Sequence, residues 1–218
     1  MKPTISIFGC VLFSFSFILP ASAQDTTVIQ KWIAGQSKVK SVNSTFTQTR
    51  KLRMLRNPVT TTGRFYYKAP NQFRWENGNP AQMIAVHTGE TLTLVDVAKK
   101  RAQVVKTGDN DNRSKFGAYF DLSFPKSWAE FQQNFKILSV NKVGSLTHAK
   151  VSPKSRKLGR GMKAMTFMID SRSQLKGFQM EFKDRSTMTT MFNSVRIGAS
   201  VPSSKFTVPL DGYRVLRK

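Results

Sequence analysis

Residues 63–76 read GRFYYKAPNQFRWE, and they carry the clearest structural signal in the chain. Two short runs rich in aromatic residues flank a Pro-Asn turn. Aromatic and β-branched residues favour strands, whereas proline and asparagine favour turns. Alternate side chains of a strand share one face, so Phe65 and Tyr67 point the same way, as do Phe73 and Trp75. This segment therefore predicts a β-hairpin with an aromatic face.

Short segments of the same kind continue on both sides of this hairpin. Each is rich in β-branched or aromatic residues and is bounded by Gly, Pro, Asn or Asp. The predicted strands lie at residues 45–50, 62–68, 72–76, 82–87, 91–97, 101–106, 136–142, 146–152, 162–171, 174–183 and 187–196. Regular strands with short turns predict an antiparallel meander. The proline-containing tail at 205–215 predicts an irregular segment or an edge strand.

Helical spacing occurs near the start of the mature chain and again in its middle. The first helix follows Asp25 or Thr26 as N-cap, and the run 41–44 is expected to end it. Its apolar face is formed by Val28, Ile29, Trp32, Ile33 and Val39. Ser127 predicts the cap of a second, short helix that carries Trp128 and Phe131.

A sheet of about ten strands must twist and curl. The two helices supply what can cover its concave, apolar face. The predicted fold class is therefore mainly β with a helical lid (α+β), in which a curled antiparallel sheet forms an incomplete barrel around an apolar cavity.

The first residues predict a secretory signal peptide. Lys2 precedes an apolar run at 5–19, which is followed by Pro20 and the A-x-A cleavage site at 21–23. Residues 1–23 are thus the predicted signal peptide, and residues 24–218 are the predicted mature domain, located in the periplasm. The alternative is lipidation of Cys10, which the continuing apolar run disfavours. Cys10 is the one cysteine of the chain, so the predicted mature domain has no thiol for disulfides or catalysis.

The net charge of the chain is +23. Such a charge attracts anionic membranes, lipopolysaccharide, nucleic acid or acidic proteins. The cations cluster at Lys51–Arg53 with Arg56, at 99–101, and at 154–157 with Arg160. Two interpretations stay open: docking to anionic membrane surfaces, and a merely solvated basic surface. Export makes a nucleic-acid partner unexpected.

Signals for catalysis are sparse. His87 and His148 are the two histidines, and neither lies in an H-x-x-x-H motif. Asp109 and Asp111 lack the spacing of a calcium loop. The chain contains neither a G-x-S-x-G motif nor a glycine-rich phosphate loop. No enzymatic activity, cofactor or metal is therefore expected.

Four blocks, taken in their order, resemble the LolA family of outer-membrane lipoprotein carrier proteins. Block 63–76 matches the family pattern of a glycine, an apolar strand, a basic-Pro turn and Phe-x-Trp. The others are STFTQT at 44–49, TGETL at 88–92, and a C-terminal run from LKGF at 175–178 to FTVP at 206–209. The resemblance covers nearly all of the predicted mature domain.

This resemblance implies a non-enzymatic periplasmic carrier that binds the acyl chains of a lipoprotein or lipid. It would shuttle them from an inner-membrane transporter to an outer-membrane acceptor, and we expect it to act as a monomer. Transferred onto this chain, the lipid-binding cavity positions are Phe46, Phe65, Tyr67, Phe73, Trp75, Leu92 and Leu94. The lid or latch region falls at Trp32, Lys68 and Ala69. The family has an arginine at the Ala69 position, and its absence favours a cargo other than a lipoprotein.

The aromatic positions also fit a filled core, because aromatic residues on one strand face more often form plain core than a ligand site. A filled core combined with the basic surface predicts a function other than that of a carrier. This alternative is a non-enzymatic interaction module that binds anionic envelope components or a membrane complex.

Overall fold

The computed structural model describes residues 25–106 and 124–217, so the predicted signal peptide, Asp109 and Asp111 lie outside the described residues. The described helices are α1 (Thr27–Gln36), α2 (Trp128–Asn134), α3 (Arg156–Gly159) and a 3-10 helix (Ser203–Phe206). The described strands are β1 (Ser41–Lys51), β2 (Val59–Lys68), β3 (Gln72–Asn77), β4 (Met83–His87), β5 (Thr91–Asp96), β6 (Arg101–Lys106), β7 (Phe135–Val143), β8 (Leu146–Pro153), β9 (Met162–Ile169), β10 (Leu175–Phe182), β11 (Thr187–Ile197) and β12 (Arg214–Arg217).

All of these strands belong to one sheet, in the order β12-β6-β5-β4-β3-β2-β1-β11-β10-β9-β8-β7. Two antiparallel meanders, β1–β6 and β7–β11, are joined by the pairing of β1 with β11. The sheet is open and curled, since β12 and β7 form its two edges. The predicted curled sheet is thereby confirmed, and the predicted edge strand in the C-terminal tail is β12.

Helices α1 and α2 cover one face of the sheet. Helix α1 buries Ile29, Trp32 and Ile33 in the main hydrophobic cluster, and α2 buries Phe131 there. The Trp32 ring lies 4.8 Å from the Phe167 ring of β9, measured between centroids. The expected helical cover over a mainly β fold is confirmed.

The C-terminal segment packs on the opposite face of β2–β4. A second buried cluster there consists of Tyr66, Val86, Val201 and Phe206. Arg74 of β3 donates from Nη1 to the carbonyl oxygens of Lys205 and Thr207, at 3.2 and 3.3 Å. The sheet is therefore covered on both faces near β2 and β3.

Three local expectations need correction. Helix α1 ends at Gln36, so Val39 lies beyond it, and β1 begins at Ser41. Residues 41–44 are strand because β1 pairs with both β2 and β11. The meander is also not wholly antiparallel, since β12 pairs with β6 in parallel. At the second helix the prediction holds: Ser127 caps α2, and its side chain accepts a hydrogen bond from the Glu130 amide.

Candidate functional site

The seven predicted cavity residues lie on the face of the sheet that α1 and α2 cover, on strands β1, β2, β3 and β5. Five of them are buried in the main hydrophobic cluster, and two are partly buried against it. The buried residues are Phe46, Phe65, Phe73, Trp75 and Leu92, and the partly buried ones are Tyr67 and Leu94. The fold thus brings all seven to one apolar surface, which we call the concave face.

Strand register aligns most of these residues in two rows that cross the strands. The first row runs Phe65, Trp75, Ala85 and Leu94, from β2 to β5. The second row runs Tyr67, Phe73, His87 and Leu92, over the same strands. The His87 ring stacks on Phe73, with centroids 5.3 Å apart. Such rows form a continuous apolar floor at right angles to the strands.

Phe46 extends this floor onto β1. It faces Gly63 of β2 directly across the strand pair. Its ring stacks on Trp75 with centroids 4.0 Å apart and planes at 25°. A Cβ at position 63 would clash with the Phe46 ring and with the carbonyl oxygen of Glu76. The absence of a side chain at Gly63 is what lets Phe46 reach Trp75.

Three further aromatic residues, not among the predicted cavity positions, complete the centre of the concave face. Phe124, which precedes α2, stacks on Phe65 with centroids 5.6 Å apart and planes at 8°. Its ring also lies 6.3 Å from Phe178 and 6.2 Å from Phe192. The last two lie on β10 and β11, whose alternating pattern is the signal that could have placed them here. Phe124 therefore covers the centre of the concave face.

One end of the concave face is polar, and the sequence analysis missed this feature. Gln48 is only 3% exposed, and its amide nitrogen donates to the Thr190 hydroxyl at 3.2 Å. Its amide oxygen accepts hydrogen bonds from Asn77 at 2.9 Å and from Arg50 Nε at 3.2 Å. This network links β1, β3 and β11, and it separates the apolar floor from the β1–β2 turn.

The three predicted lid or latch residues lie in different surroundings. Trp32 packs under α1 on the concave face, as described above. The Lys68 ammonium donates to the Ser203 hydroxyl at 3.3 Å, in the segment that covers the opposite face. Ala69 is half-buried, and its amide donates to the Lys40 carbonyl at 2.8 Å.

A contact between the β2–β3 turn and the helical cover is made by other residues. The Lys126 ammonium, just before α2, donates to the side-chain oxygen of Asn71 at 3.3 Å. In the same turn the Tyr67 hydroxyl donates to the Pro70 carbonyl at 3.2 Å. Burial raises the pKa of the Tyr67 phenol, so this side chain is neutral at physiological pH.

The indole nitrogen of Trp32 is buried and has no hydrogen-bond partner among residues 25–106 and 124–217. Leaving a buried donor unsatisfied costs about 1–3 kcal/mol. No group of three or more His, Cys, Asp or Glu side chains in these ranges is placed to hold a metal ion. Within the same ranges, no helix is long and apolar enough to cross a membrane.

A family model and a curated relative are both described as outer-membrane lipoprotein carrier proteins. The family model described as outer membrane lipoprotein carrier protein LolA matches residues 37–209, which contain strands β1 to β11. The chain is 25% identical over 207 residues to an outer-membrane lipoprotein carrier protein of Actinobacillus pleuropneumoniae serotype 3 (strain JL03), covering 94% of this chain and 89% of that protein.

Solved structures are similar at the level of the fold. An uncharacterized conserved protein from Thermus thermophilus superposes with a TM-score of 0.53 at 10% identity, covering 88% of this chain and 98% of that one. A LolA superfamily protein from Nitrosomonas europaea gives a TM-score of 0.46 at 7% identity, covering 86% and 99%.

Proposed function

The chain belongs to the LolA family of outer membrane lipoprotein carrier proteins, and on this premise we propose that it is a periplasmic carrier of acyl chains. It binds the acyl chains of a lipoprotein or lipid at the concave face and moves them from the inner to the outer membrane. The observation that carries the proposal is the continuous apolar floor from Phe46 to Leu94. Its mechanism is binding rather than bond-making.

Cargo must compete with the groups that already rest on the floor. Phe124 is half-buried, and it contacts Phe65, Phe178 and Phe192 at the centre of the face. An aromatic contact contributes about 0.5–1.5 kcal/mol. Burial of one methylene contributes about 0.8 kcal/mol, so about two to six methylenes offset the loss of all three contacts. We propose that the acyl chain enters by displacing Phe124 from Phe65.

The Trp32 indole supports a carbonyl-bearing cargo. Its N–H is buried and lacks an acceptor among the described residues. A fatty ester or amide carries a carbonyl oxygen at the head of each acyl chain, and a carbonyl oxygen is a good acceptor for an N–H donor. A head group carried under α1 would satisfy this donor once α1 shifts from the sheet, because the nitrogen is buried there now, whereas a plain hydrocarbon would not.

Ala69 bears on the class of cargo. This chain has no arginine at that position, and the described contact of the turn with the helical cover is the hydrogen bond from Lys126 to Asn71. Both side chains are exposed, and exposed polar contacts contribute little, about 0–1 kcal/mol. The cover is therefore held on the sheet by the apolar packing of α1 and α2 and not by a strong polar latch. This observation favours a lipid other than a lipoprotein as a second candidate cargo.

Mass spectrometry of the protein purified from its native envelope tests the proposal. We expect stoichiometric lipid or lipoprotein, with reduced loading in Leu94→Glu because a carboxylate then lies on the apolar floor. The matched control is Ile84→Glu, since Ile84 is also partly buried but packs on the opposite cluster. Equal loading of both variants would contradict the assigned face. Absence of any lipid, together with salt-sensitive binding of an anionic partner, would favour the interaction module instead.

A further inference from the structure

The turn that joins β1 to β2 holds apolar side chains in solvent. Met54 is 94% exposed, Leu55 49% and Leu52 42%. The Leu55 amide donates to the Leu52 carbonyl at 3.0 Å, so the tip is a closed turn with Met54 at its apex. Every residue from 51 to 60 is exposed, so the tip projects beyond the packed part of the sheet. Clustered exposed apolar residues mark interaction sites, whereas scattered ones do not.

Exposed cations surround this tip. The β10–β11 turn is adjacent, because Lys51 pairs with Thr187 at the start of β11. The β8–β9 loop is next, since the Lys183 amide donates to the Gly161 carbonyl at 3.0 Å. Six exposed cations in or beside these three loops, here called the basic rim, are Lys51, Arg53, Arg56, Arg160, Lys183 and Arg185; the β8–β9 loop also holds the exposed cations Lys154 and Arg156.

The carboxylate within the rim does little to neutralise it. Asp184 accepts hydrogen bonds from the Ser186 hydroxyl at 2.6 Å and from the Ser186 amide at 2.9 Å. These bonds hold the carboxylate within its own turn, although Arg53 lies near enough to interact with it electrostatically. Six exposed cations beside one engaged carboxylate leave the rim strongly positive.

We propose that the basic rim docks on an anionic phospholipid bilayer and inserts Leu52, Met54 and Leu55 into the interface. Apolar side chains at a tip reach the acyl boundary while the cations beside them bind headgroup phosphates. Binding at a membrane interface scales with the buried apolar area plus the attraction of cations to anionic lipids, and this turn supplies both contributions. The docking surface is separate from the concave face, so the proposal does not depend on carrier function.

The composition of the tip favours a bilayer over a protein partner. Binding sites for proteins concentrate their energy in tryptophan, tyrosine and arginine seated in pockets. Residues 51–58 contain arginine but no tryptophan or tyrosine, and their apolar side chains are flexible leucine and methionine between cations. A fluid interface accommodates such side chains without a matching pocket.

Sedimentation with lipid vesicles tests the proposal on the full protein. The vesicles contain phosphatidylglycerol mixed with phosphatidylethanolamine, or phosphatidylcholine alone as the uncharged comparison. We expect the triple variant Leu52→Ser/Met54→Ser/Leu55→Ser to bind anionic vesicles on the order of 10-fold more weakly. Arg53→Gln/Arg56→Gln should also weaken binding, and added salt should weaken what remains. The exposed position of the tip makes loss of folding unexpected in either variant, which circular dichroism verifies.

The matched control is Val143→Ser/Ile197→Ser. These side chains are 54% and 53% exposed, and they lie at the ends of β7 and β11 that are away from the basic rim. This control should bind anionic vesicles like the wild type. Brominated lipid should quench the fluorescence of Met54→Trp more than that of the wild type, whose three tryptophans lie outside the tip.

The inference is overturned if the wild-type protein does not sediment with anionic vesicles. A serine triple variant that binds them normally also overturns it, since attraction would then be electrostatic alone. Acyl cargo measured on the same samples separates these outcomes from failure of the carrier function.

Discussion

Phe46 and Gly63 face each other across the β1–β2 pair, and the Phe46 ring fills the space that a side chain at position 63 would occupy. This close approach brings the ring within 4.0 Å of Trp75, between centroids. Glycine in a strand carries an entropic cost. Here that cost is offset by the aromatic contact between Phe46 of β1 and Trp75 of β3, which reaches across β2.

Gly63→Ala should destabilise the fold. The added Cβ has no room, because both the Phe46 ring and the Glu76 carbonyl oxygen lie in its way. Overpacking of this kind costs about 1–3 kcal/mol, which urea unfolding followed by circular dichroism measures. Gly35→Ala is the matched control, since nothing lies within 4 Å of its added Cβ. In helix α1 that change should stabilise by up to about 1 kcal/mol. Equal stability of Gly63→Ala and wild type would show that the ring is not confined.

Phe124→Ala should increase the affinity for a fatty acid. The ring occupies the floor above Phe65, and its removal frees apolar surface for cargo. Loss of a competing contact of about 0.5–1.5 kcal/mol corresponds to about 2- to 10-fold tighter binding. Displacement of a fluorescent fatty acid by palmitate reports the dissociation constant.

The control for that experiment is Phe206→Ala, which removes a buried ring from the opposite cluster. Its fatty-acid affinity should match the wild type even if its melting temperature falls. Weaker binding by Phe124→Ala would mean that the ring is part of the ligand site rather than its occupant.

Gln48→Leu should lower stability although leucine has a similar volume. The change leaves the buried Thr190 hydroxyl without the donor that it now has at 3.2 Å, and it removes the acceptor of Asn77. Orphaned buried polar groups cost about 1–3 kcal/mol each. In a double-mutant cycle, Thr190→Val should then cost less beside Gln48→Leu than it does alone. Strictly additive unfolding free energies would show that the two side chains are not coupled.

Asp184 should contribute to acid sensitivity. Hydrogen bonds from the Ser186 side chain, above all, and from its amide hold the pKa of Asp184 below its usual range, and the positive charge of Arg53 adds to this. A depressed pKa contributes stability that is fully present above the unfolded-state pKa and is lost as the pH falls through the folded-state pKa. Ser186→Ala should raise the Asp184 pKa, read by carboxyl NMR titration. Asp184→Asn should flatten the stability profile at acid pH, and an unshifted Asp184 resonance in Ser186→Ala would refute this cause.

Local sequence patterns predicted the local parts of the fold well. The alternation through residues 63–76 indicated the β2–β3 hairpin and its aromatic face, because a tight hairpin depends on neighbours in the chain. Ser127 indicated the start of α2 for the same reason. The helical pattern predicted that α1 extends to Val39, whereas the helix ends at Gln36. Residues 41–44 are held as strand by pairing with β2, and Val42 and Asn43 also pair with β11, some 150 residues further along the chain.

The composition of the concave face was only partly predictable. Phe65 and Trp75 are paired by a short turn, so their shared face follows from strand alternation. Phe124 meets Phe178 and Phe192 only after distant strands assemble. The hydrogen bond between Gln48 and Thr190 likewise joins residues 142 positions apart. No short-range pattern carries information about such contacts.

The two meanders meet where β1 pairs with β11, almost from one end of the described chain to the other. Until β11 has emerged, whether from the ribosome or from an export channel, the outer edge of β1 has no partner, and its amide and carbonyl groups invite strands from other molecules. Folding dominated by such distant pairing is slow, because the long loop must close before the contact is gained. The nascent polypeptide therefore needs protection from aggregation until β11 has been delivered.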